Sequence, residues 1–225
     1  MIGVIVAIDE EMNAIKEKMK DIEEQKIYNL HFYKGKINDK RYVVVKSGVG
    51  KANAARTTQI LVDRFEIDCI INFGTAGGIN YNLQIGDVVI GETLLQHDFD
   101  TSTFGDEKFY ITGAGKYFFS DKELITKAED ILEKLDEDFN VIIGTIATGD
   151  VFVSDPEHKI KILTECKADC VEMEGAAIAQ VCNLDNIPCI VIRGISDVPN
   201  GSNNIEFEKY AEMASKRCVK ILEKF

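Results

Sequence analysis

Strand-length apolar runs alternate with helical periodicities along almost the whole chain, and this alternation restricts the fold more than any other feature. Residues 2 to 8 are apolar and mostly β-branched. Residues 10 to 19 then place Met12, Ile15 and Met19 on one helical face. Two short alternating segments follow, near 31 to 37 and 42 to 47, and Gly48-Val49-Gly50 punctuates before a small-residue helix over 51 to 65. Residues 69 to 73 read as a fully buried strand that exits at Gly74-Thr75-Ala76-Gly77-Gly78. A strand starts at Asp87, and a polar stretch covers 97 to 115. A helix over 121 to 135 is capped by Ser120 or Asp121, a strand runs from 141 to 147, and Asp155-Pro156 opens a further helix. A strand at Val171, a helix over 174 to 184, a strand over 189 to 195 and a final helix over 205 to 224 complete the pattern. It predicts an α/β fold: one three-layer sandwich over residues 1–225, with a mixed, mostly parallel central sheet flanked by helices.

Composition narrows the partners. The formal net charge of −12 argues against nucleic acid, which needs a basic face, and against anionic membrane surfaces. No apolar run is long enough to span a bilayer, and the first residues enter a strand pattern without a basic leader, so a cytoplasmic protein is expected. The six cysteines mostly sit in apolar runs and form no zinc-type spacing; free buried thiols in a reducing compartment are expected. His31, His97 and His158 show no metal spacing either, so neither a metal nor a cofactor is expected.

Acids collect where an α/β sheet binds ligands, beyond the carboxyl ends of its strands. Val171-Glu172-Met173-Glu174 and Arg193-Gly194-Ile195-Ser196-Asp197 each carry carboxylates past a strand, and Asp9-Glu10-Glu11 follows the first strand. Each has an ordinary explanation. Acids at a helix N-terminus complement its dipole, and Asp197 could close an Asx-turn. Glu172 and Glu174, two apart, share a face while the chain is extended. The glycines after residue 73 match neither a dinucleotide fingerprint nor a Walker loop and could form a plain turn or admit a ligand to the backbone. No G-x-S-x-G nucleophile is present. Taken together, the acids suggest acid/base chemistry on a small polar molecule.

In order along the chain, Ala7-Ile8-Asp9-Glu10-Glu11, Lys46-Ser47-Gly48-Val49-Gly50-Lys51, Asn72-Phe73-Gly74-Thr75-Ala76-Gly77-Gly78, Gly149-Asp150-Val151-Phe152, Val171-Glu172-Met173-Glu174 and Ser196-Asp197 resemble the 5′-methylthioadenosine/S-adenosylhomocysteine nucleosidases of the nucleoside phosphorylase superfamily. The resemblance implies hydrolysis of the N-glycosidic bond of these adenine thioribosides, with 5′-deoxyadenosine as a further substrate, in methionine salvage and the removal of adenosylmethionine by-products. It implies that Asp197 protonates adenine N7, that Glu11 activates the water and that Glu174 holds the ribose hydroxyls. Met173 and Glu172 would line the sugar, and Arg193 would sit by the water. Phe152 would stack on adenine, the Val153 backbone would read its edge, and Phe207 would close over the site. Val49, Thr75, Gly77 and Ser196 complete the implied substrate contacts, and no cofactor is implied. A homodimer is implied too, with Thr101 and Phe104 of one subunit completing the 5′ pocket of the other. The chemistry is coherent: adenine leaves poorly as an anion, so an acid at N7 contributes about 10²–10⁴-fold. That acid holds its proton at neutral pH only with help from burial or neighbouring carboxylates.

Thr75 stands where the family often has serine, and the loop Val198-Pro199-Asn200-Gly201 departs from its bacterial members. Three other readings compete. A phosphorolytic purine nucleoside phosphorylase would need cations for phosphate, whereas this chain has five arginines and a carboxylate, Glu11, near the first strand. An aminodeoxyfutalosine hydrolase would differ only at the 5′ group. A non-catalytic nucleoside sensor would share the fold without turnover.

Overall fold

The computed structural model describes residues 1–135, 137–198 and 206–225; the side chains of 206–209, 211 and 212 lie outside that description, as do residues 199–205. Among the described residues ten strands, β1 (Ile2–Val6), β2 (Lys20–Ile27), β3 (Leu30–Ile37), β4 (Lys40–Lys46), β5 (Cys69–Gly78), β6 (Val88–Gln96), β7 (Phe118–Phe119), β8 (Val141–Thr148), β9 (Cys170–Glu172) and β10 (Cys189–Asp197), form one mixed sheet. Six α-helices among the same residues accompany them: α1 (Asp9–Lys16), α2 (Lys51–Arg64), α3 (Lys122–Glu133), α4 (Pro156–Cys166), α5 (Gly175–Leu184) and α6 (Glu206–Lys224).

The central strands are buried on both faces, which explains their continuous apolar runs. Val4, Ile5 and Val6 are fully buried, as are Ile190, Val191 and Ile192. Alternation sends successive side chains to opposite layers. Ile5 and Val191 pack with Ala54 and Leu61 of α2 and with Ala176, Ala177 and Ile178 of α5. Val4, Val6, Ile190 and Ile192 pack with Met12 and Ile15 of α1, Ile125 and Ile131 of α3, and Val219 and Leu222 of α6. A third, smaller cluster seats Ile162 and Cys166 of α4 against Leu95, Ala147 and Val171. The expected three layers are present.

The sheet is mixed, with more antiparallel pairing than strand–helix alternation alone suggests. β1 pairs in parallel with β4 and β5, β5 with β10, and β8 with β6 and β9. The pairs β2–β3, β3–β4, β5–β9, β6–β7 and β6–β10 are antiparallel. The order β5, β10, β6, β8, β9 and back to β5 closes a ring, so the crevice expected of an open sheet is here the mouth of a closed group of strands. Three details depart from the sequence reading. Helix α1 stops at Lys16, and β2 follows almost at once. That strand is exposed along nearly all its length and bears a register shift near Asp21, so it has no alternation to betray it. The glycine run 74–78 is no turn: β5 continues straight through it.

Gly144 shows how tightly β8 is fitted. A Cβ there would meet Asp169 Oδ2 well inside contact distance. That oxygen accepts the Thr145 amide at 2.8 Å while Oδ1 accepts Asn80 Nδ2 at 2.7 Å, so the carboxylate cannot swing away freely. Gly144→Ala is expected to cost about 2 kcal/mol and to lower the melting temperature by about 4–8 °C. An unchanged melting curve would show that Asp169 is free to move.

Candidate active site

The carboxyl ends of β1, β5, β8, β9 and β10 converge on one cavity, an empty volume of about 810 Å³ that includes its open mouth. Its lining contains Glu11, Val49, Thr75, Gly77, Phe152, Val153, Glu172, Met173, Glu174, Arg193, Ser196 and Asp197. These are the residues singled out in the sequence, apart from three. Thr101 and Phe104 lie in and beside the 3₁₀ turn Ser102–Phe104, away from the cavity; Phe104 is 87% exposed. Phe207 belongs to the first turn of α6, but its side chain lies outside the described residues.

The floor is built on Arg193, only 1% exposed. Its Nη2 donates to Glu172 and, at 2.6 Å, to Asn72 Oδ1, and its Nη1 to the Ile192 carbonyl at 3.0 Å. Asn72 in turn donates to the Ile5 carbonyl at 2.9 Å. Glu172 is saturated. Besides Arg193 it accepts the Thr148 hydroxyl and the Glu174 and Gly175 amides, at 3.0 and 2.7 Å. It caps the N-terminus of α5, where backbone amides and the helix dipole favour an anion. Glu172 therefore anchors the frame, although it also borders the cavity.

Glu11 enters on the first turn of α1 and accepts the Ala7 and Ile8 amides through Oε2, at 2.9 and 3.3 Å. Ile8 has no side-chain oxygen to return, so this is half a capping box. The other oxygen, Oε1, lies 3.3 Å from where a Cβ on Gly74 would sit, and Arg193 Nε lies 3.6 Å from the same point. That Nε is a buried donor with no protein partner among the described residues. Gly74 thus keeps open a place that a buried carboxylate and an unpaired donor both approach. Burial raises the Glu11 carboxyl above its usual range, with the Ala7 amide and Arg193 pulling the other way. Glu174, the N-cap of α5, accepts the Gly50 amide at 2.8 Å. Burial, then the charge of Glu172, pushes it up to about 7. Burial works against the Arg193 cation, but Glu172, Glu174 and Glu11 outweigh it and raise its affinity for its proton.

At the opposite end, a register shift in β10 between Ile195 and Asp197 lets Ser196 and Asp197 both border the cavity. Ser196 Oγ donates to Asp197 Oδ1 at 3.2 Å, and Asp197 Oδ2 accepts Lys159 Nζ at 2.6 Å. The expected carboxylate neighbours are not what contacts Asp197; a cation is. A Cβ on Gly77 would come within 3.2 Å of both Asp197 oxygens, so the glycine is required by space and not by backbone conformation. The rim is apolar and open. Val49 is 50% and Phe152 61% exposed, while Val153 is buried. The loop bearing Phe152 is tied down by Asp150, whose amide donates to Asp98 and whose Oδ1 accepts the Lys51 amide, at 2.9 and 2.8 Å. No group of three or more His, Cys, Asp or Glu side chains that could hold a metal occurs among the described residues.

The whole chain, residues 1–225, matches the family model described as the phosphorylase superfamily. It is 37% identical over 224 residues to a 5′-methylthioadenosine/S-adenosylhomocysteine nucleosidase of Staphylococcus haemolyticus, covering 99% of this chain and 97% of the relative. The chain belongs to the phosphorylase superfamily, within its 5′-methylthioadenosine/S-adenosylhomocysteine nucleosidase family. The nucleosidase of Neisseria meningitidis, solved with methylthio-immucillin-A, superposes with a TM-score of 0.92 at 33% identity, covering 100% of this chain and 99% of that one. A futalosine hydrolase of Helicobacter pylori superposes with a TM-score of 0.91 at 31% identity, covering 99% and 95%.

In this nucleosidase-family chain the sequence reading missed Asn72, Thr148 and Gly50 as supports of the site, and Lys159 altogether. Lys159 carried one usable signal: with Ile162 and Cys166 it occupies the i, i+3, i+7 stripe that α4 buries. Asn72 stood inside an apolar strand, where a buried amide needs partners.

The raised carboxyls set a stability signature. Glu11 and Glu174 bind protons more tightly folded than unfolded, so the stability they contribute is full below the unfolded value near 4.5. It is lost as pH rises through the folded value, about 7 for Glu174. Glu174→Gln keeps an acceptor for Gly50 and removes that titration. It should match the parent near pH 4 and exceed it near pH 8 by on the order of 3 kcal/mol, read from urea unfolding at both pH values. A difference independent of pH would refute this assignment.

Proposed function

We propose that residues 1–225 act as one N-glycosyl hydrolase domain that cleaves 5′-methylthioadenosine and S-adenosylhomocysteine, and 5′-deoxyadenosine with them, to adenine and a 5-substituted ribose. The observation that carries this reading is the pairing, across one cavity, of Glu11 Oε1 and Arg193 Nε beside Gly74 with Asp197 at the far end. Glu11, its affinity for protons raised by burial, takes a proton from the water that attacks C1′ while Arg193 Nε orients that water. Asp197 gives its proton to adenine N7, so the base departs neutral. Glu174 accepts from the ribose hydroxyls, and the carboxylates together stabilise the positive charge that grows on the sugar. Thr75 and Met173 flank the sugar, and Phe152 stacks on adenine with the Val153 backbone along its edge.

The exposed, apolar Phe104 and the neighbouring Thr101 complete the 5′ pocket of a second copy in a homodimer. Free, buried cysteines, six in the chain, suit a reducing cytoplasm.

A hydrolase at this site fits its charge better than a phosphorylase does. Glu11 and Glu174 would repel a phosphate dianion, and Arg193 is already engaged by Glu172 and Asn72. Likeness to a futalosine hydrolase favours a second substrate of the same chemistry, in which only the 5′ group differs. Adenine release from a panel of these nucleosides in phosphate-free buffer tests the reading. Turnover without phosphate is expected, falling about 10²–10⁴-fold in Glu11→Gln and in Asp197→Asn. Strict phosphate dependence would replace it with phosphorolysis, tight binding without turnover with a sensor, and near-normal rates in both variants would remove the roles assigned.

A further inference from the structure

Lys159 is a lysine in an unusual place. It is 2% exposed, on the face of α4 that also buries Ile162 and Cys166. Its backbone belongs to the first turn of the helix, fixed by Pro156 and by the Asp155 cap, which accepts the His158 amide at 2.8 Å. Burying an ammonium costs several kcal/mol unless a counter-charge meets it. The counter-charge recorded for it is Asp197, at 2.6 Å, in the cavity wall. Most other lysine ion pairs among the described residues, such as Lys46–Asp9, Lys36–Asp21 and Lys108–Glu165, lie in more exposed positions and need no further reason.

We propose that Lys159 is a positioning residue for the general acid Asp197: its ammonium fixes the carboxyl group at the base end of the cavity and balances the negative charge that returns to that group when its proton leaves. The inference rests on the reading of Asp197 given above. In the step concerned, the Asp197 O–H bond breaks and an N–H bond forms at adenine N7. The electron pair of the C1′–N9 bond stays with the base, which departs neutral, and Asp197 is left as a carboxylate facing Lys159. An interaction that strengthens as the reaction proceeds lowers the barrier, whereas one equally strong throughout does not. Lys159 attracts the Asp197 carboxylate more strongly than it attracts the neutral acid. Other charged groups border the same space. Arg193 stands on β10, Glu172 and Glu174 at the β9–α5 junction and Glu11 on α1, while Asp155, the N-cap of α4, and His158 on that helix lie outside the cavity lining. β5 contributes only uncharged Gly77 at closest approach to Asp197. Lys159 is the cation in hydrogen-bond contact with Asp197 among the described residues.

The test is kcat and KM for adenine release by the intact protein and by Lys159→Met, Lys159→Gln and Lys159→Arg, with Asp197→Asn as reference. Lys159→Met and Lys159→Gln should lose about 10²-fold in kcat, as when one charge-stabilising donor is removed, with KM changed no more than a few-fold. Lys159→Arg, which keeps the cation, should restore most of kcat while Lys159→Met and Lys159→Gln stay low. A lysine that merely tethers α4 to β10 would let the neutral, polar Lys159→Gln recover kcat as well as Lys159→Arg does, and that result overturns the proposal. So does unchanged kcat in both neutral variants, or a rise in KM alone. If Lys159→Met fails to fold, Lys159→Gln and Lys159→Arg decide between these outcomes. Near-normal turnover by Asp197→Asn would instead strike at the acid assignment itself, so the two failures are separable.

Discussion

The ion pair between Arg193 and Glu172 holds the rest of the site in place. Both side chains are 1% exposed, so the pair sits where two charges are worth keeping only if every remaining donor and acceptor is engaged. Glu172 meets that condition with a hydroxyl and two helix-terminal amides as well as Arg193. Arg193 meets it except at Nε, which has no protein partner among the described residues. The pair also joins strands that are not neighbours: β9 and β10 each pair with β5, and Asn72 of β5 ties Arg193 onward to β1. Four strands are drawn together through one guanidinium and its partners. An apolar pair of equal volume could be as stable, but it could not fix the directions of α5, β10 and β1 at once.

The charge arrangement follows from that frame. One buried cation faces Glu172, Glu174 and Glu11, so the cavity floor carries more negative than positive groups. The excess is tolerated because burial and mutual repulsion raise Glu174, and burial raises Glu11, towards neutral pH. A floor of this kind disfavours anionic reactants and favours a reacting centre that becomes cationic. The chain's acidity therefore has a local meaning beyond solubility, and it separates water from phosphate as the nucleophile on electrostatic grounds.

Much of the fold was legible because the central strands are buried on both faces and the helices on one. Two periodicities, continuous for the strands and 3.6 for α2, α3 and α5, are then enough to place them. The edge strand β2 escaped because nearly all its side chains face water and its apolar pattern carries no period. The two-residue β7 is too short to carry one. Ring closure was invisible because it depends on β9 reaching β5 through only two residue pairs, a tertiary contact with no local signature. In the site, side chains that end strands were readable as a class, since acids beyond strand ends exceed what folding requires. Their partners were not. Glu172 and Glu174 look alike in sequence, and only the amides at the start of α5 show that the first is saturated in the frame while the second takes its amide from Gly50.

The glycines mark the same boundary from the other side. Read along the chain, Gly74, Gly77 and Gly78 suggest a turn, because glycine is the residue that turns best. In the structure all three lie in β5, and none has positive φ. What they share is a neighbour where a Cβ would go: Glu11 and Arg193 at Gly74, Asp197 at Gly77, and Ile195 with Val198 at Gly78. The strand is stripped of side chains where carboxylates and the guanidinium from α1 and β10 must come close to its backbone. Removing bulk from β5 sets both ends of the cavity, the Glu11 end at Gly74 and the Asp197 end at Gly77. Three residues of extended strand, roughly 10 Å at 3.3 Å each, separate those two glycines. That spacing is on the scale of a nucleoside laid along the strand, with the proposed water activation at one end and the proposed proton donation to the base at the other.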